Sequence, residues 1–272
     1  MEAKLHLDIL PQPDDSACGP TCLHAVYRYW GDVVPLRRVI AETPKIPGGG
    51  TLAVLLACHA LRRGYRATIY TFDLRVLDPT WFADPGADIP AKLAERMAAA
   101  TRPKVRLAAK AYRDYLALGG ELRFQDLTVS LLRRLLKNSL PVLTGLSATY
   151  LYRTAREREE DGKLVYDDVA GEPAGHFVVV CGYDMERRQA LVADPLLPNP
   201  MSQGQVYEVD LNRLSCAILL GSLTYDANLL VIQPGPAGKA QEPARPSRAD
   251  SPLRTRKNRG GKRVRSRRHR EP

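Results

Sequence analysis

Apolar residues recur at helical spacing over residues 18–30, at Cys22, Ala25, Val26, Tyr29 and Trp30, and the pattern predicts an amphipathic helix there. Pro20 falls in its first turn, where a missing N–H costs nothing. Gly31 closes it. Upstream, residues 5–10 (LHLDIL) alternate and predict a short strand leading to Pro11. Downstream, a short helix is expected over 36–41. PGGGT then gives a flexible loop, with Thr51 as N-cap of a helix running to Arg63 and Gly64 as its stop. YRATIYTF reads as a strand. Residues 73–88 read as loop, and 89–100 and 105–118 as helices separated by Pro103. Asp126 is placed to cap a further helix, LTVSLLRRLLKN. Pro141 opens a buried strand, PVLTGL, and residues 148–160 read as helix followed by a charged loop.

From His176 the pattern is nearly all strand. HFVVVCGYD is followed by QALVADP as its hairpin partner, then VYEVD, a short helix near 212–217, and NLLVIQP. Helices dominate the first half and strands the second, which predicts an α+β fold. There are no internal repeats. No apolar run approaches the roughly 18 residues of a membrane span, so no membrane insertion is expected.

Composition divides the chain at residue 234. The net charge of +10 belongs to its end: residues 239–272 carry 13 Lys/Arg against Glu242, Asp250 and Glu271, and the rest is balanced. Proline, glycine, serine and arginine replace aliphatic residues there, too little apolar surface to offset ordering entropy. The expected organisation is a domain over 1–233 and a disordered basic tail over 234–272. Such a tail can touch a polyanion nonspecifically. It lacks the interleaved aromatics that stack bases, which favours a solubilising role over sequence recognition.

The cysteines number five, Cys18, Cys22, Cys58, Cys181 and Cys216, and the opening MEAKLHLDIL lacks the pattern expected of a signal peptide. Reduced thiols in a cytoplasmic protein are expected. The His and Cys residues are too scattered for a zinc site, and the triple glycine at 48–50 lacks the Lys-Ser/Thr of a phosphate loop. No metal or cofactor is expected.

The chemistry concentrates in two segments. QPDDSACGPTCLHAVYRYWG places Cys18 in the first turn of a helix, where the dipole and free N–H groups favour a thiolate. Gly19 allows close approach of backbone or substrate. Gln12 is a candidate second donor to an oxyanion, beside the cysteine N–H. GHFVVVCGYDMERRQALVADP supplies His176 at the start of a buried strand and Asp194 on the next. Antiparallel neighbours place two such side chains about 5 Å apart, close enough for the carboxylate to fix the imidazole tautomer. Cys22, Cys58, Cys181 and Cys216 read as core. His6, His24 and His59 lack comparable surroundings.

Taken together, the residues resemble the bacteriocin-processing, or double-glycine, cysteine peptidases of the papain clan. Those have a Gln, five residues, Cys-Gly and an apolar helix ending near Tyr-Gly; here Gln12, Cys18-Gly19 and Tyr29-Trp30-Gly31 stand in that order. They also have a His opening a valine-rich strand and then Asp-Pro; here His176-Phe-Val-Val-Val and Asp194-Pro195. The glycine-rich turn and helix between them match 48–64. The resemblance covers roughly residues 5–232. It implies a papain-like fold, with the nucleophile helix in an N-terminal helical part packed on a C-terminal antiparallel sheet. It also implies Cys18 as nucleophile, His176 as base, Asp194 as its orienter and Gln12 in the oxyanion hole. The chain departs from the family in a helical insertion at about 78–125 and in Ala17, where an acid often precedes the nucleophile.

The expected activity is hydrolysis of a peptide or isopeptide bond in a peptide or protein substrate through a cysteine thioester. The alternatives are acyl transfer at the same site, a catalytically silent peptide-binding relative, or a nucleic-acid-associated protein acting through its tail.

Overall fold

The computed structural model describes residues 3–235. At its centre lies helix α1 (Cys18–Tyr29), of whose twelve residues ten are buried. A helix buried on nearly every side needs thin contacts, and Gly19 supplies one. A Cβ there would stand 2.8 Å from Thr51 Cγ2 and 3.1 Å from Phe177 Cδ2. The close approach is therefore to the protein's own core. Gly31, at φ +75°, follows the helix in the left-handed region that glycine adopts freely.

α1 is preceded by β1 (Ala3–Lys4) and followed by α2 (Leu36–Glu42), α3 (Ala53–Arg62) and β2 (Tyr65–Thr71). The strand expected over 5–10 is not formed. Only Ala3–Lys4 pairs, with the end of a later strand, although Leu5 and Leu7 are buried as the alternation required. Thr51 does not cap α3; its hydroxyl donates to Pro44 O at 2.9 Å. The cap comes from Asp226, whose Oδ1 accepts the Ala53 N–H at 2.9 Å.

Next come α4 (Thr80–Ala83), a single turn inside the expected loop, then α5 (Ile89–Ala99), α6 (Pro103–Ala117) and β3 (Glu121–Phe124). β3 was not foreseen. It pairs in parallel with β2, and the Tyr115 hydroxyl lies between Ala67 O and Glu121 O at 2.8 and 2.7 Å, tying α6 to both strands. α7 (Val129–Lys137) is capped by Thr128, which accepts from the Leu131 N–H at 3.1 Å, and not by Asp126.

The second half supplies β4 (Val142–Ser147), α8 (Ala148–Tyr152), the hairpin of β5 (Glu157–Glu160) and β6 (Lys163–Tyr166), then β7 (Gly175–Asp184), β8 (Gln189–Ala193), β9 (Val206–Asp210), α9 (Leu211–Leu220) and β10 (Asn228–Pro234). Residues 148–160 are thus not one helix. Arg153 turns left-handed at φ +58°, and the chain reverses at Asp161-Gly162, both at positive φ. That dipeptide is a strong hairpin-turn signal.

The main sheet runs β3-β2-β10-β4-β7-β8-β9, with β1 on β7. Every pairing except β2–β3 is antiparallel. The arrangement is α+β as expected, with strands of the first half contributing one edge. β7 is buried at every position after Gly175. α1 packs directly on β7, where the Cys22 thiol donates to Phe177 O at 3.2 Å. Pro234, expected to open the tail, instead ends β10, paired with Tyr65; residues 236–272 of the expected tail lie outside the described residues.

Candidate active site

The α1–β7 contact brings the two informative segments together. Cys18 is the first residue of α1 and is buried; His176 is the second residue of β7 and also buried. The Cys18 thiol stands within hydrogen-bonding reach of the imidazole. No side chain caps α1. The helix therefore presents its N-terminal dipole to the sulfur, a field that favours negative charge.

Asp194 follows β8 directly. Val179 pairs with Ala193, so Asp194 falls opposite Val178 and diagonal to His176 on the same face. His176 Nε2 and Asp194 Oδ1 are 2.8 Å apart. The carboxyl is fully buried yet held down at about 2. Burial opposes that shift, and the hydrogen bond from His176, its charge, the Leu196 N–H and the Tyr152 hydroxyl outweigh burial. An ionised carboxylate only accepts, so Nε2 carries its proton and Nδ1 is left for the thiol. Burial likewise opposes charge on His176. The hydrogen bonds to Asp194 and Cys18, and then their charges, push its imidazole up to about 10.

Two residues of this site escaped the sequence reading. The hydroxyls of Tyr152 and Tyr207 each donate to Asp194 Oδ2 at 2.7 Å. Tyr152 comes from the last turn of α8 and Tyr207 from β9. Strand alternation in VYEVD, which points Tyr207 and Val209 inward, was the available signal for the second.

Gln12 lies beside the same histidine, at one side of a cavity of about 280 Å³ that His176, Tyr152 and Leu196 also line. Its backbone N–H donates to Pro195 O at 2.9 Å, which fastens the segment before α1 to the segment after Asp194. One Nε2–H goes to Asp14 O at 3.1 Å, leaving the second for another acceptor.

The other candidate thiols and imidazoles are placed differently. Burial, then the charges of Cys18 and Asp194, raise the Cys22 thiol well above the ordinary thiol range. Burial pushes Cys58 up to about 11 and Cys181 up to about 12. Cys216 is exposed and does not belong to the core, because α9 turns that position outward. His59 has a carboxylate partner, Glu42 at 3.1 Å, but its other nitrogen meets the Tyr27 hydroxyl at 2.7 Å and no thiol. Only His176 joins a thiol to a carboxylate among the described residues.

The model of the Peptidase_C39 like family matches residues 4–215. Among solved structures, the chain is similar to a double glycine motif protease from an AMS/PCAT transporter in complex with its leader peptide, at 13% identity and a TM-score of 0.40, over 85% of this chain and 94% of that one. It is also similar to the peptidase domain of Streptococcus ComA, a bifunctional ABC transporter of a quorum-sensing pathway, at 14% identity and a TM-score of 0.38, over 84% and 99%. No curated protein matches. Among the described residues no helix is long and apolar enough to cross a membrane.

Proposed function

The chain belongs to the Peptidase_C39 like family, and from that premise we propose that it is a cysteine peptidase that cleaves a peptide or isopeptide bond through a thioester on Cys18. The observation that carries the reading is the buried chain of contacts from Cys18 through His176 to Asp194.

In the first half-reaction the Cys18 proton passes to His176 Nδ1, and the sulfur attacks the substrate carbonyl carbon. The oxyanion accepts from the Cys18 N–H at the start of α1 and from the remaining Nε2–H of Gln12. As the C–N bond breaks, His176 returns its proton to the leaving amine. A water then gives its proton to His176 and attacks the thioester. The carboxylic acid leaves, and the proton goes back to the thiolate. Asp194 keeps the ring in the tautomer that frees Nδ1 and offsets the charge of the imidazolium. Tyr152 and Tyr207 position Asp194 through their hydroxyls.

The test is acyl-enzyme trapping. The full-length protein is mixed briefly with a peptide library, quenched in acid and analysed by mass spectrometry. An acyl adduct on Cys18, together with released amine product and neither in Cys18→Ala, is the expected result. Hydrolysis that persists in Cys18→Ala overturns the reading.

A further inference from the structure

The cavity beside His176 has a second property that the proposed reaction does not use. Its lining includes two carboxylates, Asp15 and Glu157, and no lysine or arginine. The two arginines that flank Glu157 in sequence, and Lys45 beside Asp14, are engaged elsewhere; Arg156 donates to Asp168 O and to Val169 O. Arg158 pairs with Asp167 at 2.8 Å and Glu160 at 3.2 Å, and Lys45 Nζ donates to Ser16 Oγ at 2.9 Å. Neither carboxylate has an ion-pair partner among the described residues.

Glu157 is held in place by its backbone, which exchanges hydrogen bonds with Glu172 at 3.0 and 2.7 Å. Its carboxyl is half-buried and raised from the usual range by burial and by the charge of Asp15, with His176 pulling the other way. Gln12, which lines the same cavity, has its Oε1 buried with no hydrogen-bond partner. The cavity is therefore lined by two carboxylates without an ion-pair partner and by one residue, Gln12, with a buried acceptor that makes no hydrogen bond. An unpaired carboxylate in a partly dry cleft is matched by a ligand that brings positive charge and several N–H donors.

We propose that this cleft selects substrates carrying a lysine or arginine side chain beside the scissile bond, held between Asp15 and Glu157. The assignment rests on Cys18 and His176 as the reacting pair. It adds the chemistry of the substrate. The hairpin of β5 and β6 then acts as the specificity wall, with Glu157 on its first strand. An arginine guanidinium suits the site best, because its planar fork can serve two carboxylates at once.

The experiment has two arms, run on the full-length wild type and on Asp15→Asn/Glu157→Gln, with folding checked by circular dichroism. In the first, Cys18 is modified by a cationic methanethiosulfonate (ethyltrimethylammonium) and by an anionic one (sulfonatoethyl), with modification at each cysteine followed by mass spectrometry. The cationic-to-anionic rate ratio at low salt is expected to fall about tenfold in the double variant. A change in the reactivity of the thiol itself cancels in that ratio. An unchanged ratio overturns the proposal. In the second arm, a peptide library is digested by both proteins. Cys18-dependent cuts flanked by Lys or Arg in the wild type, with the preference lost in the double variant, support it. Cys18-dependent cleavage with no such preference, or a preference that survives the double variant, overturns the cationic subsite and leaves the peptidase reading standing. If no peptide is cut in a Cys18-dependent way, the peptidase reading falls, and the reagent ratio alone decides whether the cationic subsite exists.

Discussion

Asp194 and Asp226 are both buried, yet the carboxyl of the first is held at about 2 and that of the second is pushed up to about 8. Burial acts on both in the same direction. The difference lies in what each meets. Asp194 accepts from four donors: His176 Nε2, the Leu196 N–H and the hydroxyls of Tyr152 and Tyr207. Asp226 accepts from two, the Ala53 N–H at 2.9 Å and Asn228 Nδ2 at a long 3.4 Å. It also feels the like charge of Asp73, itself raised to about 6 mainly by burial. One corner of the molecule is built to hold a charge without water, and the other to shed one. A carboxylate kept ionised in a dry site is what a histidine needs if it is to move a proton repeatedly in one tautomer.

The comparison gives opposite pH signatures. The raised pKa of His176 contributes stability that is fully present below about pH 6.5 and lost as the pH rises towards 10. The lowered pKa of Asp194 contributes stability present above about pH 4 and lost towards pH 2. The raised pKa of Asp226 works the other way for a carboxyl. Between about pH 4 and 8 the folded chain keeps a proton there that the unfolded chain has released, so stability falls as the pH rises.

Asp194→Ala breaks the comparison hardest. It strands a buried imidazole and two hydroxyls, and should cost about 3–5 kcal/mol in urea unfolding. Turnover should also fall by roughly 100-fold or more. A stable, fully active variant would remove Asp194 from the site. Tyr207→Phe deletes one of the four donors. It should cost about 1.5–3 kcal/mol at pH 7, the range for a hydrogen bond to a charged group, while leaving Cys18 and His176 in contact. Equal stability of this variant and wild type at pH 7 would show that the hydroxyl does not support the charge. Near pH 4, Asp226→Asn has the smallest expected effect of the three. It keeps an acceptor for the Ala53 N–H and removes the titration. Stability near pH 4 should change little. Between pH 4 and 8 the downward slope should flatten by up to about 1.4 kcal/mol per pH unit. An unchanged slope would mean that Asp226 is ionised in the fold after all.

The sequence carried the three central residues of the candidate site better than their supports. Cys18, His176 and Asp194 sit where period and turn chemistry are unambiguous: the first turn of an apolar helix, the start of a valine-rich strand and the Asp-Pro that ends its hairpin partner. Strand pairing then does the rest, since a diagonal position on adjacent strands sets the His–Asp contact. Tyr152 and Tyr207 reach Asp194 from 42 and 13 residues away, and no local pattern marks a tyrosine as a donor to a distant carboxylate. The cap of α3 was missed for the same reason. Asp226 lies 173 residues beyond Ala53 and displaces the local candidate, Thr51, whose hydroxyl has a carbonyl nearer to hand. The β5–β6 hairpin was a different failure. Asp161-Gly162 marked the turn, but the charged residues around it masked strands that bury little. That hairpin carries Glu157, so the least legible part of the fold is also the part that shapes the cleft.

The most direct test of the central claim is the pH dependence of Cys18 alkylation by iodoacetamide, resolved by site with mass spectrometry, in the wild type and in His176→Ala. The account predicts that Cys18 is alkylated fastest among the cysteines and that this reactivity disappears in His176→Ala. Alkylation of Cys18 that follows an ordinary thiol in both proteins would contradict it, and the Cys18–His176–Asp194 contact would then be structural.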